Sequence, residues 1–231
     1  MQTQQLTAEQ VQAVQISFIN KVYAWMALAL TITGFIAYRT ASSETMINLV
    51  FGIPFGFWIL IIIELGLVWK LSRSIQEMSS NMAIGLFLLY SALNGLTLSI
   101  IFLAYTQASI ATTFFVTAGT FGVMSAYGYF TKKDLSSWGN LLFMALIGLI
   151  IASVVNIFLQ SAQMYWIISY AGVLIFVGLT AYDTQKIKKM SLEIEVESEE
   201  GRKGAIMGAL ALYLDFINMF IFLLRIMGDR R

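Results

Sequence analysis

Seven stretches of mostly apolar residues follow one another along this chain, at residues 22–38, 47–69, 82–105, 110–130, 141–159, 165–187 and 204–227. Each is close to the roughly 20 residues a helix needs to cross the ~30 Å hydrocarbon core of a bilayer. No water is present at that depth to bond stray backbone groups, and a helix satisfies every N–H and C=O within its own segment. The pattern predicts an all-α membrane protein of seven transmembrane helices. Composition agrees: only 12% of the 231 residues are charged, against roughly a quarter in a soluble domain.

The residues that are missing narrow the chemistry further. With no Cys there is no disulfide framework and no thiolate nucleophile, and with no His the commonest metal ligand and general base is gone. The net charge is +1 and the basic residues are scattered at helix ends, which gives no footprint for nucleic acid. Residues 1–15 are polar and carry no basic n-region, so they read as a mobile or amphipathic lead-in rather than a cleavable signal. Every connection is short except residues 190–201, MSLEIEVESEEG, an acidic loop that reads as solvated rather than as a Ca²⁺ cage because it lacks EF-hand spacing. Residues 1–231 are therefore expected to form a single polytopic domain.

Orientation follows from Lys and Arg. One side of the membrane receives Lys21, Lys70, Arg73, Lys132, Lys133, Lys186, Lys188, Lys189, Arg202 and Lys203; the other receives Arg39, Arg225, Arg230 and Arg231. The N-terminus is expected in the cytoplasm and, after seven crossings, the C-terminus outside. The basic tail runs against the rule and leaves an even count open if one window is re-entrant. The short connections at 106–109 and 160–164 fall on one face, where Arg225 would anchor the last helix. Small residues at Gly119 and Gly122, Gly148 and Ala152, and Gly204 and Gly208 suggest close helix packing.

Two acids stand out. Asp215 interrupts GAIMGALALYLDFINMFIFLLRIMG, and Asp183 closes GVLIFVGLTAYDTQKIK. A charge at mid-bilayer costs about 3 kcal/mol on insertion scales, so it usually has a partner and a function. If the turn between the last two spans lies near Glu199 and the sixth helix continues towards Glu193, the two carboxyl groups reach similar depth. Within hydrogen-bonding reach they could not both ionise cheaply; they would share one proton and respond to pH, or hold Ca²⁺ in its place. The alternative is that each merely bonds a neighbouring helix. Asn218, one turn beyond Asp215, and Glu64, within ILIIIELGLVW, could complete the site, with Tyr182 and Tyr213 as hydroxyls. Lys70 and Arg73 could either snorkel or act as counter-ions. Asn94 and Asn156 read as interhelical glue.

Two segments carry a resemblance: GLTAYDTQKIK at 178–188 and ALYLDFINMFIFLLRIMG at 211–228. Together they resemble the signature of the Bax inhibitor-1, or transmembrane Bax-inhibitor-motif, family. The likeness extends over all seven spans, including YSALNGLTLSIIF at 90–102 and TKKDLSSWGNLLFMALIGLIIAS at 131–153, with the look of a bacterial inner-membrane member. It implies a fold whose seventh helix is central and surrounded by the others, and a pH-sensitive Ca²⁺ leak governed by two aspartates that fall on Asp183 and Asp215. It also implies an acid in the second helix, matched by Glu64, and an arginine at that helix's inner end. Arg73 is the one arginine there, with Lys70 as a rival. The acidic connection is longer than the family's compact form.

The expected function is a cation leak channel gated by the aspartate pair, with Ca²⁺ as permeant or bound ion and no cofactor required. Its partners would be the bilayer, Ca²⁺, protons and a membrane protein. A non-transporting regulator that binds a membrane protease or stress-response partner is the alternative. An intramembrane aspartyl protease is disfavoured, because such enzymes carry Gly-x-Gly-Asp and Pro-Ala-Leu elements, whereas here Asp215 follows Leu-Tyr-Leu and Pro54 is the sole proline. No enzyme activity is expected.

Overall fold

A computed structural model describes residues 7–231. Among them the chain forms eight helices: α1 (Ala8–Ala41), α2 (Glu44–Phe51), α3 (Gly56–Ser74), α4 (Ser80–Ala104), α5 (Gln107–Phe130), α6 (Ser136–Leu159), α7 (Ala162–Met190) and α8 (Glu199–Met227). Six of these are individually long and apolar enough to cross a membrane, and the count reaches seven if α2 and α3 form one broken span. No strand occurs among the described residues; a single antiparallel bridge pairs Tyr105 with Arg230.

The window at 47–69 was expected to be one helix, and this is corrected: α2 and α3 meet at 76°. Pro54 sits in the gap, where it offers no N–H and its ring would clash with a helical carbonyl four residues back. Phe55 then takes a left-handed backbone at φ 63°. A Cβ on Gly56 would lie 2.8 Å from the Val50 carbonyl oxygen, so the break folds back tightly on the end of α2.

The described part of the lead-in is helical. Thr7 caps α1 in a reciprocal box with Gln10, Thr7 N–H to Gln10 Oε1 at 2.9 Å and Gln10 N–H to Thr7 Oγ1 at 3.3 Å. The polar lead-in is therefore helical from Ala8 onward, while residues 1–6 lie outside the described residues. At 1.5 Å per residue the 34 residues of α1 run to about 50 Å, well beyond the hydrocarbon thickness.

The helices group into two compact units. The first holds residues 1–100 and 187–210, and the second holds 101–186 and 211–231, so α4, α7 and α8 contribute to both. In the first unit the acidic loop is tied down rather than free. Glu197 pairs with Lys21, Glu199 Oε1 accepts from the Ser80 N–H at 3.1 Å, and Lys203 donates to the Gln76 carbonyl at 3.0 Å. The α7 helix ends at Met190, short of Glu193, and Glu199 is the first residue of α8 rather than the tip of the turn.

The spans differ greatly in burial. In α6, the most apolar at mean hydropathy 2.7, 6% of the apolar window is buried, whereas in α8 the figure is 67%. Phe143, Met144, Phe158 and Leu159 of α6 are all exposed, as side chains facing hydrocarbon would be. The last helix is the most buried of the six spans.

Candidate functional site: a carboxyl pair between the last two helices

Within the second unit the signature segment of α7, Ala181 to Lys186, has a structural task for each residue. The carbonyl of Ala181 approaches Gly128 of α5 so closely that a Cβ there would stand 2.2 Å from it. The ring of Tyr182 lies on Gly139 of α6, 2.4 Å from where a Cβ would be. Thr184 donates its hydroxyl within α7 to the Thr180 carbonyl at 2.8 Å, and lies 3.4 Å from Ser125 Oγ of α5. Gln185 closes both halves of its amide on the α5–α6 connection, accepting from the Leu135 N–H at 2.9 Å and donating to the Lys133 carbonyl at 2.8 Å. These contacts fix the rotation and height of α7.

That placement leaves Asp183 facing α8, with its carboxyl group beside that of Asp215. A carboxylate can only accept, so two carboxyl groups can bond each other directly only when one of them carries a proton. Asp215 is 4% exposed, and its Oδ2 is buried without a donor from the rest of the protein. Asp183 is half-buried.

On α8 the residues around Asp215 are equally constrained. Tyr213 is fully buried, and the Phe216 ring packs edge-on against Phe114 and Phe121 of α5, with centroids 5.5 and 5.6 Å away. Phe222 stacks on Phe176 of α7 at 6.0 Å, and its ring fills the space beside Gly172. Aromatic rings on both sides of the acid hold its helix in register.

The other candidates are placed differently. Asn218 donates its amide back to the Leu214 carbonyl at 2.8 Å, an i to i−4 bond along α8, and is not bonded to the pair. Glu64 is buried in the first unit, where its carboxylate accepts from Asn94 at 3.3 Å and from the Thr97 hydroxyl, both on α4. Glu64 and Asn94 thus join α3 to α4. Lys70 and Arg73 are exposed, and the Arg73 guanidinium lies over the Trp69 ring at 5.8 Å. The basic residue nearest Asp183 along α7 is Lys186, three residues on and exposed. Its i, i+3 spacing puts it on the same side of the helix as Asp183, a signal that its place among the basic residues at a helix end obscures.

The two carboxyl groups could contribute oxygen ligands to a divalent cation. Among the described residues there is no group of three or more Asp, Glu, His or Cys side chains that could hold a metal. A bound Ca²⁺, which takes six to eight oxygens, would have to draw most of them from water or carbonyls.

The comparisons with known proteins follow the same residues. A family described as inhibitor of apoptosis-promoting Bax1 matches residues 15–231, which include both segments of the site. The chain belongs to the Bax inhibitor-1 family. Among its relatives, the inner membrane protein YbhL of Escherichia coli is 53% identical over 216 residues, covering 93% of this chain and 92% of the relative. An uncharacterized protein of Borreliella burgdorferi is 48% identical over 93% of this chain and 92% of its own length. The uncharacterized protein RP147 of Rickettsia prowazekii is 46% identical over 93% and 90%. The family and the apolar helices together make this a multi-pass membrane protein.

Proposed function

We propose that the protein is a pH-sensitive cation leak channel of the inner membrane, with Ca²⁺ as the permeant ion and the Asp183–Asp215 pair as both sensor and gate. The observation that carries this reading is the meeting of the two carboxyl groups between α7 and α8, with Asp215 buried and its Oδ2 without a hydrogen-bond partner. With the proton in place the pair carries one negative charge and joins α7 to α8. Loss of the proton leaves two like charges in contact where little water can screen them, so the helices separate or a cation enters between them. Lys186, on the exposed side of Asp183, competes with an incoming cation. A ligand that prefers the separated state shifts the population by its differential affinity. The role is non-enzymatic.

Counting α2 and α3 as one broken span gives seven crossings, which sets the N-terminus in the cytoplasm, the C-terminus outside and the pair towards the lysine-rich cytoplasmic end. The test is Ca²⁺ flux into liposomes between about pH 6 and 8, where a shared-proton pair would titrate. Asp183→Asn and Asp215→Asn each replace the shared proton with a permanent amide donor. Both are expected to change flux and to flatten its pH response. An unaltered pH profile in the two variants would remove the sensor role.

A further inference from the structure

The second unit has a second polar site that the carboxyl pair does not use. At the end of α8 the chain turns back across the α4–α5 connection: the Thr106 N–H donates to the Asp229 carbonyl at 3.1 Å, and the Arg231 N–H donates to the Ala104 carbonyl at 3.0 Å. This brings Arg230 beside the start of α7, where its guanidinium donates to the Tyr165 hydroxyl at 2.9 Å. Arg225, one turn before the end of α8, lies over the same ring. Both guanidinium carbons are 5.7 Å from the Tyr165 centroid. Between them opens a cavity of about 530 Å³, lined by Asn156, Gln160, Ser161 and Tyr165 as well as the two arginines.

The wall of this cavity is a set of donors without a carboxylate. Among the described residues the ion pair formed is Lys21 with Glu197, in the first unit, so neither arginine has an acidic partner. Asp229, the acid nearest in sequence, is turned to Ser109, whose hydroxyl donates to it at 3.4 Å and accepts from its N–H at 3.0 Å. Asn156 accepts from the Ser161 N–H through Oδ1 at 3.0 Å, which leaves its Nδ2 hydrogens for a ligand. Ser161 Oγ accepts from the Met164 N–H at 3.4 Å, so its own hydrogen also remains to be donated. The positive end of α7, starting at Ala162, forms part of the same wall. Two planar guanidinium forks, held by aromatic rings and supplemented by amide and hydroxyl donors, match a tetrahedral anion with several oxygens.

We propose that this cavity binds a phosphate group, presented either by a phospholipid headgroup or as a free anion. Trp166 and Tyr170 stack beside it at 6.1 Å and are both exposed, as aromatic side chains at the depth of lipid headgroups commonly are.

The experiment follows thermal unfolding of the detergent-purified full chain during titration with dihexanoyl-phosphatidylglycerol and, separately, with inorganic phosphate. A saturable rise in the midpoint is expected with at least one probe. Response to the lipid alone identifies a headgroup site, and response to both identifies a site for the phosphate itself. Arg225→Gln and Arg230→Gln should each weaken the apparent affinity about tenfold, the loss of one charge-assisted contact, while Lys132→Gln with Lys133→Gln leaves it unchanged. Arg230 is exposed, so its variant carries the test even if Arg225→Gln fails to fold. The proposal is overturned if neither probe stabilises the wild type, or if the apparent affinity is unchanged by loss of either guanidinium.

Discussion

Gln185 shows how one side chain can position a site it does not touch. Its amide bonds Leu135 and Lys133, which belong to the connection between α5 and α6, and it stands two residues from Asp183 on the same helix. Replacing it with Ala removes two hydrogen bonds and leaves the buried Leu135 N–H and the part-buried Lys133 carbonyl unpaired. At about 1 kcal/mol for each bond, Gln185→Ala should lower stability by about 2 kcal/mol in a denaturant titration. If rotation of α7 sets the aspartate pair, the variant should also move the pH profile of flux, whereas Gln160→Ala should not. At this scale the sequence was informative about charge and silent about orientation. Asp183 and Asp215 were legible because an acid in an apolar span is costly. Asn218 shares a face with Asp215, yet its amide returns to Leu214; spacing does not reveal which of two acceptors a side chain takes. Lys186 was hidden for a related reason, since a lysine at a helix end serves topology and local charge alike.

Among the elements, close packing is set by glycines that spacing alone did not single out. Gly204 and Gly208 do receive neighbours, Ile194 and Phe18 at the first, Ile187 and Val22 at the second. Gly119, Gly122 and Gly148 face open space, so the close packing expected there is corrected. The tight approaches are at Gly95, Gly128, Gly139, Gly172 and Gly178. A small residue permits close approach only if its face of the helix meets a neighbour, and the face is decided by tertiary packing. Gly128→Ala would drive a methyl into the Ala181 backbone, so it should destabilise by about 2 kcal/mol, within the usual range for overpacking. Gly119→Ala should be neutral or slightly stabilising, because Ala is the better helix former. Thermal unfolding of the two variants side by side checks the ranking. Helix ends were legible to within a few residues wherever apolar runs stopped. The break at Pro54 was not, because a Pro within a long apolar window is compatible with both a kinked span and a broken one.

For the whole molecule, the distribution of lysines predicts that the loop between α7 and α8 and the turn between α4 and α5 face opposite compartments. The chain has no Cys, so single cysteines can be introduced without background. An impermeant maleimide should label Glu195→Cys in inverted vesicles and Gln107→Cys in spheroplasts; the reverse pattern would invert the assignment. Three spans, α5 to α7, separate these positions, and labelling of both from one side would contradict the span count. The contrast between α6 and α8 has a consequence for how such a sequence can drift. With 6% of its window buried, α6 touches mainly hydrocarbon, which does not distinguish Leu from Ile, Val or Phe. Its identity should therefore wander freely among apolar residues while excluding charge. In α8 the volume and polarity at each position are dictated by neighbours, so a library of random substitutions should preserve that helix almost letter by letter around Asp215.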